Sequence, residues 1–248
     1  MNLADYRATL SERQRTADLL RLMPSAGHAA LDVGARDGHF SRLMADRYAE
    51  VTAVDLIAPV IDHPRITCVV ANAAKLPFND RKFDLVFCAE VLEHVPTRSL
   101  AQVCRELVRV SSGCILLGVP FRQDIRVGRT TCGSCGKRNP PWGHVNSFDL
   151  RAIEMLFPRC DLQEVSFVGE SAERTNWLST ILMDYAGNPY GTYQQDEPCI
   201  FCGNRLSWRG RRTVGQRLAT KSATVLQRMT QAMTRAHGNW VHVLLRPK

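Results

Sequence analysis

The sequence predicts an α/β protein built on a doubly wound, mostly parallel sheet. Three observations predict it. Between residues 29 and 120, short β-rich runs alternate with helical segments. The runs are almost uninterruptedly apolar, as in parallel strands covered on both faces. The first of them ends in a turn bearing Gly34 and Gly38, on the side where such a sheet receives ligands, beyond the carboxyl ends of its strands. A chain of 248 residues suits one large domain, or one domain with an insertion. With 45% hydrophobic and 23% charged residues, general disorder and collagen-like structure are excluded. No apolar stretch approaches the ~18 residues of a membrane span. The N-terminus carries Asp5 and Glu12 and lacks the apolar core of a secretory signal, so a cytoplasmic chain is the expectation.

The elements follow in order. Residues 3–23 read as one amphipathic helix with Leu3, Tyr6, Leu10, Ala17 and Leu20 apolar, closed by Pro24 to Gly27. AALDVG (29–34) is a buried strand and HFSRLMADRY (39–48) a helix. VTAVDL (51–56), ITCVV (66–70) and FDLVFCA (83–89) are further strands. Thr97 is placed to cap a helix carrying Leu100, Val103, Leu107 and Val110, and CILLGV (114–119) is the next strand. From Phe121 to Val145 neither period appears. SFDLRAIEMLF (147–157) is a helix and DLQEVSFVG (161–169) a strand. Residues 174–186 and about 212–236 read as helices, and WVHVLL (240–245) as a last strand. The organisation expected is an N-terminal helix (1–28), a core (29–120), an insertion (121–146), a return to the core (147–170), a second insertion (171–239) and a final core strand (240–248).

Glycines let the turn after the first strand bend sharply and approach a ligand. Asp55, 21 residues after Gly34 at the end of the second strand, suits a ribose's two hydroxyls. Taken together, LDVGARDG, Asp55, ANAAKLPF (71–78) and FDLVFCAEVLEHVP (83–96) resemble class I S-adenosylmethionine-dependent methyltransferases, above all the small-molecule group called type 11. The resemblance covers about residues 29–120, and more loosely 147–169 and 240–246. It implies a Rossmann-like sheet of seven strands, the last antiparallel, and S-adenosylmethionine as cofactor. It further implies that Asp32, Gly34, Ala35 and Gly38 form the turn against the methionine part. By the same resemblance Asp55 holds the ribose, Leu56 packs on the adenine, Asn72 and Ala73 meet the adenine edge, and Ala89 lies near the methionine moiety. Two positions depart from the family's pattern. Arg36 stands where a glycine is usual, and Asn72 stands where an aspartate is usual.

Transfer to a hydroxyl needs its proton removed, which is most often the work of a histidine. His94 and Glu90, with Glu93, follow the fourth strand. His144, in WGHVN, is a further candidate from the insertion. Two identical signatures, Cys132-Gly-Ser-Cys135-Gly and Cys199-Ile-Phe-Cys202-Gly, supply four thiolates, the closed ligand set of a structural zinc site. Charge is placed unevenly. Residues 198–248 carry ten Lys and Arg and no acid, whereas residues 1–197 carry 22 against 24 acids. That asymmetry points to an anionic contact, or to a solvated basic helix. Met229 and Met233 are expected to pack on the protein itself.

The expectation is a methyltransferase, acting by O-methyl transfer on a small-molecule or carrier-linked acceptor, with a sugar or lipid-linked hydroxyl favoured. An RNA methyltransferase is the second reading, and a non-catalytic binding or scaffolding protein of the same fold the third. Peripheral contact with a membrane stays open.

Overall fold

The computed structural model describes residues 3–208 and 210–248, and of Leu3 and Ala4 only the backbone. The expected inward place of Leu3, and Arg209 of the basic segment, therefore lie outside the described residues. The chain divides into two compact units. The first comprises residues up to Phe121, with 148–169 and 238–248, and the second comprises 122–147 and 170–237.

The first unit opens with α1 (Leu3–Arg7) and α2 (Leu10–Leu22), followed by β1 (Gly27–Val33), α3 (His39–Ala45), β2 (Tyr48–Asp55), β3 (Ile66–Val70) and β4 (Phe83–Ala89). Then come α4 (Thr97–Val110) and β5 (Ser111–Pro120). In the second unit lie β6 (Thr130–Thr131), β7 (Arg138–Asn139) and a 3-10 turn at Pro141–Gly143. The first unit resumes with α5 (Leu150–Leu156) and β8 (Cys160–Val168), the second with α6 (Trp177–Tyr185) and α7 (Val214–Ala232), and β9 (Trp240–Pro247) closes the first.

The first unit is a seven-stranded sheet of order β3-β2-β1-β4-β5-β9-β8. β1 to β5 pair in parallel, and β9 runs antiparallel to both β5 and β8, so the α/β Rossmann-like fold with an antiparallel last strand is as expected. Because strand side chains alternate between faces, the sheet supports two cores. Leu31, Val33, Val86, Ile115 and Leu117 face Leu100, Val103 and Leu107 of α4 and Ile153 of α5. Ala30, Ala53, Leu85, Phe87 and Leu116 face Leu19 and Leu22 of α2 and Met44 of α3. Full burial of each large aliphatic side chain is worth roughly 1.5–3 kcal/mol.

Four local expectations need correction. The N-terminal helix is broken at Thr9, whose extended backbone and side chain, accepting from Glu12 N, start α2 afresh. Its inward face is not the one expected. Leu10 is 71% exposed, while Glu12, Arg15, Leu19 and Leu22 are buried. Thr97 is the first helical residue of α4 rather than its cap; Pro96 holds that place without a side-chain hydrogen bond. The third helix stops at Ala45, because Tyr48 is already in β2 and buried against the sheet.

Candidate functional site

Within the first unit, the carboxyl ends of the strands converge on the turn after β1. Gly34 and Gly38 adopt φ of +79° and +77°, and a Cβ on Gly34 would meet Val91 Cγ2 at 2.3 Å. Only glycine meets both demands. The N–H groups of Gly34 and Ala35 both donate to Val54 O, at 2.8 and 3.1 Å, lashing the turn to β2. Arg36 keeps the left-handed backbone, at φ +48°, and is exposed, and its N–H donates to Asp55 Oδ2 at 2.9 Å. Asp55 also accepts from Leu56 N, at 2.6 Å. Leu56 beside it is 69% exposed.

Asp32 faces the other way. Strand alternation aims it beneath α3, where it is 2% exposed and accepts from Ser41 Oγ at 2.5 Å. Burial pushes its carboxyl up to about 7, against the opposing Ser41 hydrogen bond and with the help of Asp55's charge. Asn72, after β3, uses Oδ1 to accept from Ala74 N at 2.9 Å, and Ala73 sits half-buried inside that turn. The segment is held from α4. Arg109 donates to Phe78 O at 2.7 Å and Leu76 O at 3.0 Å, and Glu106 accepts from Leu76 N.

At the end of β4, after half-buried Ala89, Glu90 has φ +57°, a strained conformation for a side chain of this size. Desolvation raises its carboxyl above the usual range, and Arg15 opposes this. Trp240 Nε1 donates to Glu90 Oε2 at 3.4 Å. Arg15 engages Glu12 through Nε and Nη2, at 2.8 and 2.7 Å. Its Nη1, buried and without a hydrogen-bond partner among the described residues, stands 3.8 Å from Glu90 Oε1. Glu93 is fully buried, and neither carboxylate oxygen has a hydrogen-bond partner there. Burial, then the charge of Glu90, drives its carboxyl well above the ordinary value. His94 reaches solvent at one edge, yet desolvation, with Arg36 adding to it, holds its imidazole below the ordinary value.

Sequence reasoning missed Arg15, Glu12 and Trp240. An i, i+3 acid–base pair in SERQR reads as a solvated helix face, and nothing local reveals that it is buried.

His144 belongs to the second unit, where it is buried and its Nδ1 lies 2.6 Å from Gln123 Oε1. In the same unit the two cysteine signatures meet. Cys132 and Cys202 sulfurs are 3.7 Å apart, Cys135 and Cys199 sulfurs 3.6 Å, and all four lie within 4.8 Å of one another. These separations exceed the ~2.05 Å of a disulfide and approach the roughly 3.8 Å edge of a tetrahedron with ~2.3 Å zinc–sulfur bonds. The knuckles are built alike. Gly136 and Gly203 have φ +71° and +72°, and their N–H groups donate to Cys132 O and Cys199 O. The N–H of Cys135 holds the Cys132 thiol below its usual value, against burial. At Cys199 burial raises the thiol, but the N–H groups of Phe201 and Cys202 outweigh it and bring it down to about 6.

Residues 31–115 match a family model described as a methyltransferase domain. The ubiquinone biosynthesis O-methyltransferase of Stutzerimonas stutzeri (strain A1501) is 37% identical over 99 residues, 34% of this chain and 41% of that protein. The chain thus spans about two fifths of the length of the curated relatives it matches. Among solved structures, a Bacillus halodurans C-125 protein named provisionally as a methyltransferase superposes with a TM-score of 0.60 at 15% identity, covering 94% of this chain and 98% of that one. The N-methyltransferase NodS of Bradyrhizobium japonicum WM9, solved with S-adenosyl-L-homocysteine, gives a TM-score of 0.51 at 20% identity over 67% and 84%. Identities this low establish fold alone. The chain therefore has the α/β Rossmann-like methyltransferase fold, and its residues 31–115 match a methyltransferase domain.

Proposed function

We propose that the protein is an S-adenosylmethionine-dependent methyltransferase that methylates a hydroxyl of a small-molecule or carrier-linked acceptor. One observation carries the reading. Within the matched segment, the β1 turn is fixed by its Arg36 N–H onto Asp55, next to exposed Leu56, at the carboxyl edge of the sheet. Asp55 retains lone pairs for a ribose diol, and Leu56 offers a bare apolar face to an adenine. Asn72 and Ala73 border the same edge, Ala35 and Gly38 complete the turn, and Asp32 supports it from beneath through Ser41. Arg15 Nη1, a charged donor that makes no hydrogen bond among the described residues and only a 3.8 Å ion pair with Glu90, is suited to the carboxylate of the methionine part.

The cofactor supplies a methyl group on a sulfonium sulfur, whose departure as a neutral thioether leaves positioning as the protein's main task. His94, kept neutral by its surroundings, is assigned as the base that takes the acceptor's proton at an imidazole nitrogen. Glu90, strained and tied to Trp240, positions the loop that carries it. His144, bonded to Gln123, is assigned to holding its own segment. The favoured O-methyl transfer draws on the ubiquinone relatives. Cys132, Cys135, Cys199 and Cys202 would hold one structural zinc, with no open position for substrate. Such thiolates suit a reducing, cytoplasmic setting.

Calorimetry with S-adenosyl-L-homocysteine, followed by mass-spectrometric search for an added CH2 in candidate acceptor pools, tests the proposal. Binding and a methylated product are expected. Binding without any product in any pool would favour the scaffolding reading, and no binding would end the methyltransferase reading.

A further inference from the structure

The second unit carries an apolar surface that its own packing leaves open. On α6, Trp177, Leu178, Ile181 and Tyr185 share one face and are 69%, 40%, 55% and 60% exposed. On α7, Val214, Leu218, Val225 and Met229, continued by Met233 at its C-cap, fall on one stripe, and each is more than half exposed. This overturns the expectation that Met229 and Met233 pack on the protein. The two helices run antiparallel. Asn176 Nδ2 donates to Thr230 Oγ1 at 2.8 Å, and Gln216 Nε2 donates to Tyr185 O at 3.2 Å. The seam is made by small residues, with Ser179, Ala219, Thr220 and Ala223 buried. Each helix thus buries its small side chains and exposes its large ones, the reverse of a helix that meets only water on its outer side.

Charge selects the occupant. Arg217, Lys221 and Arg228 line one flank of the α7 stripe at helical spacing, and all three are exposed. No acid occurs in residues 198–248. The one acid of α6, Asp184, has a side chain only 6% exposed and is engaged by Arg129 and Arg138. We propose that the α6–α7 pair docks on an anionic lipid bilayer. Its apolar stripes enter the boundary between headgroups and acyl chains, and its cationic flank meets lipid phosphates. Trp177 and Tyr185, each with an apolar ring and a polar tip, suit that boundary. A nucleic acid would satisfy the cations and leave the aliphatic stripe in water. A second copy of the chain would set one cationic flank against another with no acid between them. The inference stands apart from methyl transfer and does not rest on it.

Co-sedimentation of the full chain with vesicles tests it, using phosphatidylcholine alone and an equimolar mixture with phosphatidylglycerol. Partition onto the mixed vesicles and little onto the neutral ones is expected. Combining Arg217→Gln, Lys221→Gln and Arg228→Gln should weaken partition about a hundredfold, at roughly fivefold per cation near the surface. Ile181→Ser with Met229→Ser should weaken it too, with circular dichroism and thermal midpoint unchanged because both residues are exposed. The proposal is overturned by absence of partition, by equal partition onto neutral vesicles, or by indifference to the double variant. It is equally overturned if the double variant turns a dimer into a monomer in sedimentation velocity. Tight single-stranded RNA binding that only the triple variant abolishes, without vesicle binding, would overturn it in favour of a nucleic acid. Calorimetry with S-adenosyl-L-homocysteine on the same preparations reads the methyltransferase proposal separately.

Discussion

Arg36 shows a side chain departing from a pattern while the backbone keeps it. A non-glycine residue in the left-handed region pays roughly 1–2 kcal/mol, and here the return is an N–H fixed on Asp55. The charge of Arg36, after desolvation, lowers the proton affinity of His94. Replacing Arg36 by glycine keeps the turn and removes the charge. Arg36→Gly should therefore leave S-adenosyl-L-homocysteine affinity nearly intact and move the acidic limb of the kcat/KM profile to higher pH, because the base then holds its proton longer. A limb that stays in place would remove His94 from the role of base. Asp55 is the complementary case. Asp55→Ala should weaken cofactor binding by about 1.5–3 kcal/mol, the range for a charged hydrogen-bonding group. Asp55→Asn retains an acceptor for Arg36 N–H, so isothermal calorimetry on both variants separates the ribose contact from support of the turn. Equal affinity in wild type and Asp55→Ala would refute the ribose assignment.

At the level of elements, period was legible, and the inward face was legible for α4, whose Leu100, Val103, Leu107 and Val110 are all buried, but not throughout. The β3 and β4 strands begin and end where the β-rich runs do, β4 because most of its residues are buried and β3 although only Ile66 of it is. In α2 the buried face carries the Glu12–Arg15 pair, and in α7 it carries alanine and threonine. A reading that sends the largest apolar residues inward chooses the wrong side in α7, and in α2 it finds Leu19 and Leu22 but misses the buried ion pair and misplaces Leu10. Among the candidate residues, the placement of the turn glycines and Asp55 was legible because it is local to strand ends. Arg15 and Trp240 were not, because the register of α2 and β9 against β4 brings them to Glu90 across the chain. The cysteine knuckles were legible as a pair of turns, and their meeting required the fold of residues 136–198. Purified without chelator, the protein should contain one zinc per chain by elemental analysis. Cys135→Ser should speed hydrogen exchange at 130–139 and 199–204 while β1 to β5 stay protected. Absence of zinc, or loss of protection throughout, would contradict a structural site confined to the second unit.

Across the first unit, one carboxylate joins segments far apart in the chain. Asp18 of α2 accepts from Ser166 Oγ of β8 at 2.9 Å and faces His242 Nδ1 of β9 at 2.7 Å. His242 is fully buried, and its Nε2 has no hydrogen-bond partner among the described residues. A neutral ring donating from Nδ1 leaves only a lone pair unmet, which is cheaper than an unmet N–H. Burial, against the pull of Asp18, lowers its proton affinity from the ordinary 6.5 to about 4. The unfolded chain therefore takes up this proton first, and the contribution of His242 to stability is present above pH 6.5 and lost as pH falls towards 4. Asp32 has the opposite sign. Its folded value of about 7 lies above the ordinary 3.8, so its contribution is full below pH 3.8 and is lost as pH rises through 7. At about 1.4 kcal/mol per unit, the effect spans up to about 3 kcal/mol for His242 and about 4 kcal/mol for Asp32. Between pH 4 and 6.5 these two slopes oppose each other, while the raised carboxyls of Glu90 and Glu93 add a loss of stability as pH rises. Asp32→Asn, whose amide oxygen can still accept from Ser41, should give a thermal midpoint that climbs with pH relative to the wild type across this window. His242→Gln should give one that falls relative to it. Scanning calorimetry from pH 4 to 7.5 on the three proteins checks both signs, and two variants that merely parallel the wild type would show that neither buried group titrates as its surroundings dictate.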